Sequence, residues 1–272
     1  AVLVYGDAGV GKSRLLEEVR SCDLKGCAWL EGRCFASTQT LSYAPILDLL
    51  RRQIQIADKQ SIEEQQTALR SYVTDNFPSE PQVYSILAQV LALPLAEADA
   101  ELIKALTGEE FRTRFFAIVE QRLLSLAKKQ PLILVIEDLH WADESSIDLL
   151  AYVLPLIKRT RFSFIGLSRS RQRPVSFWNK LAPVLEECRE NLVEVPLQSL
   201  SVDESRTLMN HLLGGDYLPE SVVAEILDKS EGNPFFLEEV LRSLIESGGL
   251  VLEEKKWMAT PLTGTLQVPD GS

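Results

Sequence analysis

Eight residues near the start of the chain, Gly6-Asp7-Ala8-Gly9-Val10-Gly11-Lys12-Ser13, carry the first pattern that could do chemistry. Three glycines within six residues permit backbone conformations that other residues resist, so successive N–H groups can turn inward on an anion. Lys12 adds a compact positive charge suited to β and γ phosphates. The Ser13 hydroxyl is a hard oxygen ligand for Mg2+. The spacing fills the pattern GxxxxGK[ST], and the chemistry on offer is the holding of a nucleoside polyphosphate. Gly6 through Arg14 are therefore candidate nucleotide-binding residues. The alternative is a glycine-rich turn in some other α/β protein.

A second group follows the run Pro131-Leu132-Ile133-Leu134-Val135-Ile136, which ends in Glu137-Asp138. Five apolar residues in succession suit a strand buried on both faces of a parallel sheet. Open α/β sheets bind ligands beyond the carboxyl ends of such strands. One carboxylate of the pair can hold Mg2+ or its water shell and the other can orient an attacking water, and the sequence does not say which does which. His140 faces a nucleotide or is satisfied by a neighbouring loop, while Asp143 is well placed as a helix N-cap. Farther on, Phe162–Leu167 reads as a strand ending in Ser168-Arg169-Ser170-Arg171. An arginine there senses a γ phosphate or belongs to an ordinary basic loop.

The elements that must position these groups are legible in outline. Ala1–Tyr5 is an apolar run ahead of the glycines, a helix starts near Lys12, and 26–33 reads as the next strand. Strand, helix, strand in about thirty residues is a βα unit feeding a parallel sheet. Pro45 fits the first turn of a helix running to about Arg52. Between 61 and 130 the pattern is helical. Ser61 with Glu64 makes a capping box, 83–91 forms a helix ended by Pro94, and a long helix spans about 109–127. A solvated face is the default reading of its Arg112, Arg114, Glu120 and Arg122. Pro155 should kink or shorten the helix after Asp143. The aromatic pair Phe177-Trp178 lies near a helix extending to about Glu187, and 192–195 reads as the last strand. Beyond 200 the pattern turns helical, opening on a second capping box at Ser201 and Glu204. Gly232-Asn233-Pro234 interrupts it, Gly248-Gly249 closes its last helix, and 250–258 suggests a hairpin.

Composition narrows the class. At 272 residues, 46% hydrophobic and 25% charged, the chain matches an ordinary globular protein of one or two domains. No apolar run is long enough to span a membrane. A net charge of −11 with scattered Lys and Arg argues against a phosphate-backbone binder. Cys22, Cys27, Cys34 and Cys188 lack metal-ligand spacing, which suggests buried thiols in a reducing compartment and a cytoplasmic location. A chain opening directly on a core strand reads as a piece of a longer one.

With these pieces in hand, the sequence resembles the ATPase module of the STAND branch of AAA-type P-loop proteins, most like those joined to bacterial class III nucleotidyl cyclases and to large ATP-dependent transcription regulators. The resemblance rests on Gly6–Ser13, on Ile136–Asp143, on Leu167-Ser168-Arg169 and on Gly232-Asn233-Pro234-Phe235. It implies an α/β P-loop three-layer sandwich over 1–199, with a parallel sheet and helices inserted at about 45–108. A helical lid at 200–249 would follow, then a hairpin and linker at 250–272 leading to a further domain. It further implies binding of ATP or ADP with Mg2+, with Lys12, Glu137, Asp138 and Arg169 catalytic and Ser13, Glu137 and Asp138 serving the metal. Pro234 would approach the adenine from the lid. The first acidic position is usually Asp in this family and is Glu137 here, which leaves the division of labour with Asp138 open.

The expectation is thus a slowly hydrolysing ATP switch in which bound nucleotide closes the lid onto the core. It would act on neighbouring domains of the same full-length chain, or through self-association, without a membrane or direct nucleic-acid contact. A non-hydrolysing nucleotide-binding scaffold, a DNA-acting ATPase and a P-loop phosphotransferase are the rivals.

Overall fold

The apolar run from Leu132 has no polar face to offer water, and in the fold it becomes an interior strand. The computed structural model describes residues 1–22, 24, 26–57, 59–169, 175–215, 217–254 and 256–260, with the side chains of 175–178 excepted. In chain order the first elements are β1 (Val2–Tyr5), α1 (Lys12–Ser21), β2 (Ala28–Arg33) and α2 (Ala44–Ile54). Helices α3 (Ile62–Asn76), α4 (Gln82–Val90), α5 (Glu97–Lys104) and α6 (Gly108–Lys129) follow. Then come β3 (Leu132–Glu137), α7 (Glu144–Val153), β4 (Phe162–Ser168), α8 (Val175–Glu187) and β5 (Val193–Pro196). The chain continues through α9 (Val202–Leu213), α10 (Glu220–Ser230), α11 (Pro234–Glu246), β6 (Leu250–Glu253) and β7 (Lys256–Ala259).

Among the described residues, β1 to β5 form one sheet in the order β2-β3-β4-β1-β5, an α/β arrangement with parallel pairing of β2, β3 and β4. Leu132, Val135 and Ile136 of β3 are 0% exposed, and each such side chain contributes about 1.5–3 kcal/mol by leaving water. The chain divides into two compact units. One combines Ala1–Val4 with Ser21–Val195, and the other combines Tyr5–Arg20 with Pro196–Ser272.

In the first unit the expected capping box is formed, with Glu64 N–H on Ser61 Oγ at 3.2 Å and Ser61 N–H on Glu64 Oε2 at 2.7 Å. α6 begins on another, Thr107 with Glu110. The charged residues of α6 do more than face water. Arg112 reaches Asp148 at 3.4 Å, Arg114 reaches Gln82 at 2.9 Å, Arg122 reaches Asn76 at 2.7 Å, and Glu120 accepts from Arg159 at 2.6 Å. They lie where α6 meets neighbouring elements, so partners are within reach. Pro155 ends α7, and the chain tightens into a 3-10 turn over Leu154–Lys158. Cys34 and Cys188 are buried, Cys27 is intermediate, and Cys22 is exposed because it falls just past the last residue of α1.

In the second unit, α9, α10, α11 and the start of β6 share a core that includes Met209, Val223, Ile226, Leu237 and Leu244. α9 opens on the Ser201–Glu204 capping box. Strands β6 and β7 form the expected antiparallel hairpin, with Val251 opposite Met258. Among the described residues no helix is long and apolar enough to cross a membrane.

Candidate functional site

The phosphate-loop residues belong to the second unit, together with α1 and α9 to α11. Tyr5, 7% exposed, anchors the loop's start, and its carbonyl accepts from Leu197 N–H at 2.7 Å. Gly6 packs so closely that a Cβ there would lie 2.8 Å from the Leu197 carbonyl. Gly9 has φ +81°, and a Cβ would overlap Asn233 Oδ1 and lie 2.9 Å from Phe235 Cβ. Only glycine meets both demands at once. α1 starts at Lys12, its first helical bond running from Leu15 N–H to the Gly11 carbonyl at 2.9 Å, so the positive end of its dipole lies at the loop.

Lys12 Nζ donates to the carbonyls of Gly6 at 2.8 Å and Asp7 at 2.7 Å. The ammonium is thus held against its own loop, where an arriving phosphate can replace carbonyl oxygens as acceptor. Ser13 stands in the first turn of α1, and Arg14 is turned along the helix toward Glu17 and Glu18. Pro234 is the first residue of α11, and Asn233 caps that helix by accepting from Phe235 N–H at 3.0 Å. Asn233 Nδ2 also donates to the Ala8 carbonyl at 2.9 Å.

The acidic pair belongs to the first unit. Glu137 is the last residue of β3, opposite Arg33 at the end of β2, and its carbonyl accepts from Cys34 N–H at 3.0 Å. Asp138 takes a left-handed conformation at φ +51° that turns the chain out of the strand into a 3-10 turn at Leu139–Trp141. Arg33 Nε donates to Asp138 Oδ2 at 3.1 Å, with 53% and 29% of the two side chains exposed. An exposed pair of this kind contributes about 0–1 kcal/mol, so Asp138 can exchange its partner for a cation at little cost.

Register pairs Ile136 with Gly166, which brings the carboxyl ends of β3 and β4 side by side. His140, 8% exposed, accepts the Arg169 backbone N–H on Nδ1 at 3.2 Å, so a proton on the neutral ring sits on Nε2. The Arg169 side chain is exposed at the end of β4. Ser170 and Arg171, named with it from sequence, lie outside the described residues, as do the side chains of Phe177 and Trp178 and residues 261–272 of the expected linker.

Behind this end of the sheet, Asp143 is 5% exposed and accepts four hydrogen bonds. Two come from Ser146, through N–H at 2.9 Å and Oγ at 2.6 Å, and two from Tyr43 N–H at 2.9 Å and Ala44 N–H at 3.2 Å. Burial, reinforced by the carboxylates of Asp143 and Asp138, pushes the Cys34 thiol up to about 12.

Sequence reasoning named Asn233 only within the motif Gly232-Asn233-Pro234-Phe235, with no contact assigned to it, and passed over Arg33. Arg33 left a faint signal, as a charge at the end of a strand. The contact of Asn233 with Ala8 spans 225 positions and left none beyond its helix-capping type. Within the first unit, Asp138 at the end of β3, paired with the exposed Arg33, is a carboxylate of the kind that suits a nucleotide's Mg2+, since such an ion takes several ligands from phosphate and water and needs only one or two carboxylates from protein.

Known proteins give the following picture. The AAA ATPase domain family matches residues 1–165, and a family described as Domain of unknown function (DUF8739) matches 201–254. A curated relative, the uncharacterized protein R02095 of Rhizobium meliloti (strain 1021), is 26% identical over 245 residues. The match takes in 88% of this chain and 22% of the relative, so the chain spans about a fifth of that protein's length. Among solved structures, Cdc6p from Pyrobaculum aerophilum has 12% identity and a TM-score of 0.45, and a RuvB variant of Thermotoga maritima has 14% and 0.43. Each of those matches covers 91% of this chain and 56% of the other. The loop, the buried parallel strand with its terminal carboxylates and the match over 1–165 lead to one statement: the chain belongs to the AAA ATPase domain family.

Proposed function

We propose that the chain is an ATP-binding, slowly hydrolysing switch module of a larger multidomain regulator, acting in the cytoplasm. The observation that carries this reading is the loop itself, in which Gly9 and Gly11 stand at φ +81° and +97° and run into a helix headed by Lys12 and Ser13. Gly6 to Arg14 bind the phosphates of ATP or ADP, and Lys12 neutralises charge on them. Ser13 ligates the Mg2+ that the nucleotide brings, which shields negative charge when bound. Glu137 and Asp138 divide metal support and orientation of the attacking water, and Arg169 senses the γ phosphate. Pro234 meets the adenine. The chemistry is positioning and charge stabilisation, with no covalent intermediate. Nucleotide exchange then shifts domain arrangement or self-association, in the manner of STAND ATPases.

The test is phosphate release from ATP by the wild type, Glu137→Gln and Asp138→Asn over a range of protein concentrations. One variant should keep Mg2+-dependent ATP binding and lose turnover, identifying the acid that orients water, while the other should lose the Mg2+ dependence. Full turnover in both variants would overturn the roles given to the pair. Tight binding with no release by the wild type at any concentration would favour a non-hydrolysing scaffold.

A further inference from the structure

The contact of Asn233 with the phosphate loop is more than a helix cap. Its carboxamide uses both ends, Oδ1 accepting from Phe235 N–H at 3.0 Å and Nδ2 donating to the Ala8 carbonyl at 2.9 Å. Phe235 N–H is shared with the Gly9 carbonyl at 3.3 Å. Two successive loop carbonyls are therefore held toward the start of α11. No cis peptide bond occurs among the described residues, and in a trans peptide the carbonyl and the following N–H point in opposite directions. The Gly9 and Val10 N–H groups consequently aim away from α11, on one side. Consecutive N–H groups on one side make an anion-binding concavity.

We propose that Asn233 is a positioning residue for the phosphate loop. By holding the Ala8 carbonyl it fixes the direction of the loop's N–H groups, and so ties retention of a nucleoside diphosphate or triphosphate to the seating of α11. Gly9 belongs to the same device, since a side chain there would collide with Asn233. Because coupling is reciprocal, bound phosphate holds α11 in place as firmly as α11 holds the loop. This rests on the reading of the loop as the nucleotide site.

The experiment measures release of a fluorescent ADP analogue on mixing with excess ADP, together with the thermal midpoint, for the wild type, Lys12→Ala, Asn233→Asp, Asn233→Ser and Asn233→Ala. Asp and Ser cap helices about as well as Asn, so the first two Asn233 variants keep the cap while losing the amide donor. Asn233→Asp and Asn233→Ser should keep the thermal midpoint and release the analogue about two- to tenfold faster, the scale of one lost solvent-exposed hydrogen bond. Asn233→Ala should lower the midpoint yet release no faster than Asn233→Asp. Release that instead follows loss of stability, fastest in Asn233→Ala and unchanged in the other two, would overturn the proposal and leave a plain cap. Faster release in Asn233→Asp with Asn233→Ser unchanged would overturn it too, because added charge and not the missing donor would be the cause. Tight binding by the wild type, lost in Lys12→Ala, upholds the loop as the nucleotide site whatever the Asn233 variants do. Absence of binding by the wild type sinks both readings together.

Discussion

Asp143 shows how much a single buried carboxylate can organise. Its bonds to Tyr43 and Ala44 hold Tyr43 at φ +63°, a left-handed conformation that costs about 1–2 kcal/mol in a residue with a Cβ, and set the first turn of α2. Asp143→Ala would leave buried donors without acceptors and should destabilise the chain by about 3 kcal/mol, read as a shift in the urea midpoint. The cap on α7 was legible because Asp143 stands directly before a helical pattern. Its hold on residues about a hundred positions away was not, since nothing local encodes that pairing. Cys34 gives a pH dependence. Its folded pKa lies above the unfolded value of 9.0, so the stability it contributes is fully present below pH 9 and is lost as pH rises toward about 12. Alkaline unfolding curves should therefore slope less in Cys34→Ala than in the wild type over that window. At pH 8 iodoacetamide should modify exposed Cys22 in the native protein and spare Cys34.

Elements were read best where one physical demand dominated. An unbroken apolar run forces β3 into the interior, and the Ser61 and Ser201 capping boxes announce their helices by side chains that meet three residues apart. Ser201→Ala should cost about 1 kcal/mol of stability with m unchanged, measured by urea unfolding. The capping box at Thr107 and Glu110 obeys the same rule but lay ahead of a long apolar stripe that already defined α6. α5 left little trace, because its eight residues bury none of their side chains and so impose no apolar period. Strand order was hidden for a different reason. Each strand specifies its own burial, whereas the arrangement β2-β3-β4-β1-β5 depends on pairings between segments far apart in the chain.

For the whole molecule, the AAA ATPase family match fixes the class of chemistry, and the chain's share of its Rhizobium relative, 22%, places most of that protein outside it. Binding of nucleotide at Gly6 to Ser13 is the central claim for this chain. Calorimetric titration of ATP and ADP, each with Mg2+, into the wild type and Lys12→Ala addresses it most directly. Lys12 offers a charge-assisted hydrogen bond worth about 1.5–3 kcal/mol, so its loss should weaken binding by roughly ten- to a hundredfold while the fold, followed by circular dichroism, is kept. Equal affinity in the two proteins would contradict the assignment of Gly6 to Ser13 as the phosphate-binding loop.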